Sequence, residues 1–259
     1  MQNFSFSGKV ALVTGAGVGI GFEIARQLAA YGAAVLINDI DEAAAHSAQE
    51  KILKEGGVCE LIVGDSSDVD FIDRMIEKAL HNFGHLDLTV ANSGITTFGD
   101  FLAYSLESFQ RLVAVNLQGT FFLAQRAARQ MIKQQSGGSI LLMSSVTGHQ
   151  HHPHLTAYGM SKAAIGFLAK TLGVELAPYA IRVNAISPGA TLTERTGALA
   201  DQGEYQRQWE QITPLGACAA VEDIAQAALF LLSSWAQHIT SQTLIIDGGW
   251  TAVSPPPGL

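Results

Sequence analysis

The sequence predicts an α/β fold: a doubly wound parallel sheet of about seven strands with helices on both faces. Three observations predict it. Short β-branched or apolar runs alternate along the chain with longer stretches of helical period. The first run leads directly into a glycine-rich turn that opens a helix. An aspartate then closes the second run about 20 residues beyond that turn. Runs that are apolar at nearly every position suit strands buried on both faces, and parallel strands acquire that burial from the helices in their crossovers.

The elements follow in order. KVALVT (9–14) reads as the first strand and Ile20–Tyr31 as its crossover helix. AAVLIN (33–38) precedes the helix Glu42–Glu55, and VCELIV (58–63) precedes Val69–Phe83. LDLTVA (86–91) leads to one long helix, Leu106–Gln134. SILLMS (139–144) leads to Ala157–Ala177, IRVNAIS (181–187) to a long polar loop, and Val221–Ser233 to the last run, TLIID (243–247). No linker, internal repeat or low-complexity run divides the chain, so residues 1–259 read as one domain with a substrate loop at about 190–215. The SPPPGL end (254–259) reads as loop, because consecutive prolines continue neither a helix nor a ladder.

Composition excludes several classes of function. Fifteen Lys plus Arg against 23 Asp plus Glu give a formal charge of -8, which argues against nucleic acid or an anionic membrane as a partner. Cys59 and Cys218 form no CxxC pair or disulfide framework, which suits a reducing compartment. The start, MQNFSFSGKV, lacks the basic region and apolar run of a signal peptide, and no stretch approaches the roughly 18 apolar residues of a membrane helix. The expectation is a cytoplasmic protein.

The turn VTGAGVGIG (13–21) carries the first functional signal. Gly15 permits the tight turn, Gly19 lets backbone approach a phosphate, and Gly21 lets the helix, opening at Ile20, pack against the sheet. Asp39 then stands where a carboxylate accepts both hydroxyls of an adenosine ribose and repels a 2′-phosphate. No Arg or Lys flanks it in LINDIDE, so NAD is expected over NADP.

Further motifs fall in a fixed order: TGAGVGIG (14–21), NSG (92–94), VNLQG with Asn116, SS with Ser145, YGMSK with Tyr158 and Lys162, and SPGATLT with Pro188, Gly189, Thr191 and Thr193. Over nearly its full length the chain resembles the short-chain dehydrogenase/reductase family in its compact, Rossmann-like form. The resemblance implies that Asp65 and Ser66 border the adenine, that Asn92 lies beside the cofactor, that Thr193 contacts the nicotinamide carboxamide, and that Pro188, Gly189 and Thr191 also bind the cofactor. Val18 stands where NADP-using relatives often carry a basic residue. Ser93, and GDSSD at 64–68, depart from the family's usual residues.

The implied reaction moves a hydride between an alcohol or carbonyl substrate and nicotinamide. A tyrosine, with an ordinary pKa of about 10, is a poor base near neutral pH. Lys162, one helical turn from Tyr158, favours the phenolate. The resemblance gives Ser145 the substrate oxygen, Asn116 the positioning of the lysine through water, and Lys162 a second role on the ribose.

The loop HQHHPH (149–154) raises the alternative of a metal. Pro153 interrupts it and no HExxH helix accompanies it, so no metal is expected; His149 and His151 read as pocket-wall donors, with a solvated loop as the alternative. With Thr191, Glu194, Arg195, Tyr205 and Trp209 in the loop after SPG, the polar groups suit a sugar or polyol, and PGATLTERT is similar to stretches of glucose 1-dehydrogenase and gluconate 5-dehydrogenase. A 3-oxoacyl carrier-protein reductase shares the core motifs. A non-catalytic nucleotide-binding regulator is the reading from another class, opposed by the presence of both Tyr158 and Lys162. The family's pairing of long helices implies a homotetramer, with 247–259 near a second interface.

Overall fold

All seven predicted runs form strands. The computed structural model describes residues 5–194, 196 and 202–253, so the SPPPGL end lies outside the described residues. Strands β1 (Val10–Thr14), β2 (Ala34–Asp39), β3 (Val58–Val63), β4 (Leu88–Ala91), β5 (Gly138–Met143), β6 (Ile181–Pro188) and β7 (Thr243–Ile246) make one sheet in the order β3-β2-β1-β4-β5-β6-β7. Every neighbouring pair is parallel, with Val13 beside Ile37 and Ser187 beside Ile245. The chain steps outward from β1 to β3, then returns to lay β4 on the other side of β1. That reversal opens a crevice at the carboxyl ends of β1 and β4, where doubly wound sheets bind ligands.

Helices α1 (Gly19–Ala30) and α2 (Glu42–Lys54) cover one face with α8 (Val221–Leu232), and α3 (Val69–Phe83), α5 (Thr120–Gln134) and α6 (Thr156–Glu175) cover the other. Strand β1 shows how the sequence serves both layers: Ala11 and Val13 join one apolar cluster, while Val10 and Leu12 join the other. Burying a Leu or Ile side chain contributes roughly 1.5–3 kcal/mol, so the fully buried Leu12, Leu36 and Ile37 anchor β1 and β2 between the two helix layers. Among the described residues no helix is long and apolar enough to cross a membrane.

Two stretches depart from expectation. The predicted long helix is helical throughout but changes pitch: α4 (Leu106–Leu112) passes into a π-helical turn, Val113–Gly119, before α5 begins. The wider turn carries Asn116, which has no exposed surface. The expected polar loop contains a helix, α7 (Gln202–Ile212). Tyr205, Trp209 and Ile212 recur in it at spacings of four and three residues, a helical signal that polar neighbours dilute.

Candidate active site

The cleft at the chain reversal, of about 980 Å³, is lined from one end by the glycine turn and from the other by α6 and α7. At the first end, Thr14 Oγ1 accepts the N–H groups of Asn92 and Ser93, both at 3.2 Å, which ties the end of β1 to the residues after β4. Gly15 and Gly19 have φ of 61° and 62°, in the left-handed region. A Cβ on Gly21 would stand 2.2 Å from the Gly15 carbonyl oxygen, so only glycine lets α1 pack on the turn. Helix α1 has Val18 as its N-cap residue, with no side-chain cap and no acid in its first turn, and Val18, Gly19, Ile20 and Gly21 line the cleft. A turn and an uncapped helix end of this kind can cradle a pyrophosphate.

Asp39 lines the same end. Its Oδ2 accepts the Gly17 N–H at 2.9 Å and its Oδ1 accepts the Asp41 N–H at 3.0 Å, which fixes the carboxylate beside the turn. Gly17 was missed by sequence reasoning although it stands within the glycine motif. A Cβ there would lie 2.8 Å from Asp39 Oδ2, so the bare backbone is what admits the carboxylate. Asp65, Ser66, Ile20 and Val18 complete this wall, and Asp65 Oδ1 accepts the Ser67 N–H at 2.8 Å. Asn92 lines the cleft as expected, but its amide donates to the carbonyls of Thr14 and Gly15 at 3.0 and 2.9 Å and so braces the turn. A glycine cradle, an uncapped helix end and a fixed carboxylate together fit a dinucleotide.

Towards the middle of the cleft, Pro188, Gly189, Thr191, Thr193 and Thr196 line the side after β6. Thr191 is buried, pairs with Ala219 in a short parallel bridge and donates to the Gly189 carbonyl at 3.1 Å. Gly19 faces the Thr193 side chain across the cleft, since a Cβ there would lie 3.6 Å from it.

Ser145, Tyr158 and Lys162 meet opposite these threonines. Ser145 follows β5 in extended backbone, with φ of -166°. Tyr158 lies in the first turn of α6 and Lys162 one turn on, its ammonium 5.6 Å from the centre of the tyrosine ring. Lys162 is buried, and its Nζ donates to the Met143 carbonyl at 2.8 Å. Asn116 approaches from behind: its Nδ2 donates to Ser161 Oγ at 3.1 Å, next to the lysine, and Ser161 Oγ donates to the Tyr158 carbonyl at 2.7 Å. A hydroxyl, a phenol and an ammonium thus face one space, an arrangement that can handle an alcohol proton.

The histidine loop is placed differently from the sequence reading. His149 turns to Ser187, its Nε2 2.9 Å from Ser187 Oγ, and His151 is exposed outside the cleft wall. His152 lines the cleft instead, with its Nδ1 donating to the Pro153 carbonyl at 3.0 Å. Its ring lies nearly parallel to Trp209 of α7, centres 6.3 Å apart and planes at 25°. Tyr205 leans on the same indole, and Trp250 meets it edge-on at 5.1 Å. Burial, reinforced by Cys218, pushes the Tyr205 phenol up to about 12, so it stays neutral in the wall. Glu194 lines the cleft in exposed position, and Arg195 lies outside the described residues. Among the described residues no three His, Cys, Asp or Glu side chains converge as a metal site.

Residues 15–251 match the family model described as enoyl-(acyl carrier protein) reductase. The chain is 37% identical over 244 residues to an L-rhamnose 1-dehydrogenase (NAD(P)(+)) of a Sphingomonas species, covering 93% of this chain and 96% of that protein. It is 36% identical over 245 residues to 3beta-hydroxysteroid dehydrogenase 1 of Eggerthella lenta, covering 94% of each. Among solved structures, a gluconate 5-dehydrogenase of Burkholderia cenocepacia in complex with NADP and tartrate superposes with a TM-score of 0.90 at 33% identity, covering 97% of this chain and 98% of that one.

Proposed function

The chain belongs to the short-chain dehydrogenase/reductase family, and from that premise we propose that it is an NAD-dependent dehydrogenase of a sugar or polyol. The observation that carries the proposal is the single cleft shared by Ser145, Tyr158 and Lys162 with the glycine turn and Asp39. When bound, the nicotinamide supplies the hydride acceptor for alcohol oxidation and the hydride donor for the reverse direction. Tyr158 takes the substrate hydroxyl proton on its phenolate oxygen. The Lys162 ammonium stabilises that phenolate, since an opposite charge nearby favours the ionised form. Ser145 donates its O–H to the substrate oxygen and steadies the charge that develops there. Asn116 positions α6 through Ser161.

Asp39 supports NAD over NADP. Its carboxylate is held by two backbone N–H groups, so a 2′-phosphate would meet a negative charge there. Val18 adds no positive charge at the neighbouring position. The aromatic wall supports a ring-shaped substrate: Trp209, packed with Trp250, lines the cleft as apolar surface for the C–H groups of a sugar, with His152 beside it for hydroxyls. The sugar names among the relatives favour the same class.

The competing reading, a carrier-protein-linked acyl reductase, draws on the description of the matching family model. One experiment separates the two: NADH production across a panel of sugars, polyols and secondary alcohols, run beside NADH and NADPH oxidation with a 3-oxoacyl thioester. Turnover of a sugar or polyol with NAD is the expected result. Turnover confined to the thioester overturns it.

We also propose a homotetramer. Met160, Phe167 and Val174 recur every seven residues along α6 and are 49%, 67% and 69% exposed, an apolar stripe that a second copy would cover. Trp235, Leu244 and Ile245 give the β7 edge a second such patch. A cytoplasmic setting agrees with the free Cys59 and Cys218.

A further inference from the structure

Ser145 Oγ receives two hydrogen bonds, and both come from Thr147. The Thr147 backbone N–H donates at 3.3 Å and its Oγ1–H at 3.0 Å. A serine hydroxyl has one proton and two acceptor lone pairs. With both lone pairs occupied, Ser145 meets a ligand with its proton alone.

Thr147 is itself held firmly. A Cβ on Gly159 would stand 2.7 Å from the Thr147 carbonyl oxygen, and one on Gly148 would stand 2.7 Å from Ala163 N and 2.8 Å from Lys162 C. The 145–148 turn therefore rests directly on the backbone of α6, at Gly159 and at Lys162–Ala163, and Thr147 also lines the cleft.

We propose that Thr147 is a positioning residue that makes Ser145 an obligate donor to the substrate oxygen. The inference rests on the role given to Ser145 above. Its consequence is directional: a substrate hydroxyl approaching Ser145 finds no free lone pair there, so its own proton is left for Tyr158. Without the Thr147 hydroxyl, Ser145 can rotate and accept that proton in a hydrogen bond that leads nowhere. The lost contact is one neutral hydrogen bond, so the effect is modest and falls on turnover, because substrate still binds.

The test compares Thr147→Val, Thr147→Ser, Ser145→Ala and the Ser145→Ala/Thr147→Val double variant, with kcat, KM and NADH affinity measured for each. Thr147→Val, nearly isosteric, should lower kcat about three- to tenfold while KM and NADH affinity stay within about twofold. Thr147→Ser should restore kcat to within about twofold of the parent. On the Ser145→Ala background the valine should cost nothing more, because the group it positions is already gone. A Thr147→Val enzyme with parental kcat, beside a crippled Ser145→Ala, overturns the positioning role and leaves the reading of Ser145 intact. A Ser145→Ala enzyme with parental kcat overturns both. A further loss in the double variant shows a structural role and overturns the proposal. Should the valine variant fail to fold, Thr147→Ala carries the same expectations.

Discussion

The Asn116 side chain pairs with both backbone polar groups of Ile95: its Oδ1 accepts the Ile95 N–H at 2.9 Å and its Nδ2 donates to the Ile95 carbonyl at 3.0 Å. The same Nδ2 reaches Ser161 on α6. One amide therefore clamps the segment after β4 to the helix that carries Tyr158 and Lys162, and the π-helical turn brings it there. Asn116→Leu strands the part-buried N–H and C=O of Ile95. It should lower stability by about 2–4 kcal/mol and reduce turnover together with it. Thermal or urea unfolding checks the first effect, and a loss below about 0.5 kcal/mol contradicts the clamp.

Turnover should depend far more steeply on Tyr158. Tyr158→Phe removes the group proposed to take the alcohol proton, while the neutral Tyr205 offers no substitute. Turnover should fall by about a hundredfold or more with NAD affinity nearly unchanged. Residual activity above a few per cent would remove Tyr158 from the role. Lys162→Ala should damage turnover and cofactor affinity alike, and stability as well, since its buried ammonium also holds the Met143 carbonyl.

The strands and most of this site were legible in the sequence because each rests on local chemistry. Strand β1 is buried at all five positions and so reads as VALVT. The glycine turn, Asp39 and the Tyr158–Lys162 pair are short-range patterns with one geometry each. The π-helical turn was not legible, because residues 106–134 favour helix throughout and the change of pitch answers to Ile95, 21 residues from Asn116. Nor was the choice of histidine. It depends on the turn after Pro153, where His154 adopts φ of 61°, and on Trp209, which reaches His152 from α7. Ordinary propensity carries neither fact.

Cofactor preference should follow Asp39. The parent enzyme should favour NAD in kcat/KM, and Asp39→Ala should narrow the gap by about tenfold by removing a fixed charge beside the 2′ position. Part of the change should appear as weaker NAD binding, because the ribose loses its acceptor. A parent enzyme that prefers NADP contradicts the assignment.

Light scattering should give a mass near four times the 27.4 kDa chain at micromolar concentration. Phe167→Glu with Val174→Glu places two charges on the apolar stripe of α6 and should yield a smaller species. A parent protein that runs as a monomer rules the tetramer out.

The histidine loop should shape substrate affinity without holding a metal. His152 is the histidine that faces the cleft, so His152→Ala should raise KM more than it lowers kcat. Removing one hydrogen bond to a sugar hydroxyl should cost about 0.5–1.5 kcal/mol. Trp209→Ala should cost more, because it removes the indole surface that Tyr205 and Trp250 brace. His149→Ala should leave KM within about twofold, since its ring engages Ser187 behind the wall and a lost contact there reaches the substrate only indirectly. His151, exposed outside the cleft, should be silent. Chelator should leave activity intact, because on the proposed reading Tyr158 and Ser145 supply the proton acceptor and the donor to the substrate oxygen. If His149 or His151 proves more sensitive than His152, the wall is assigned to the wrong residue. If chelator abolishes turnover and added zinc or magnesium restores it, the loop holds a metal and the proton chemistry proposed for Tyr158 must be rewritten around it.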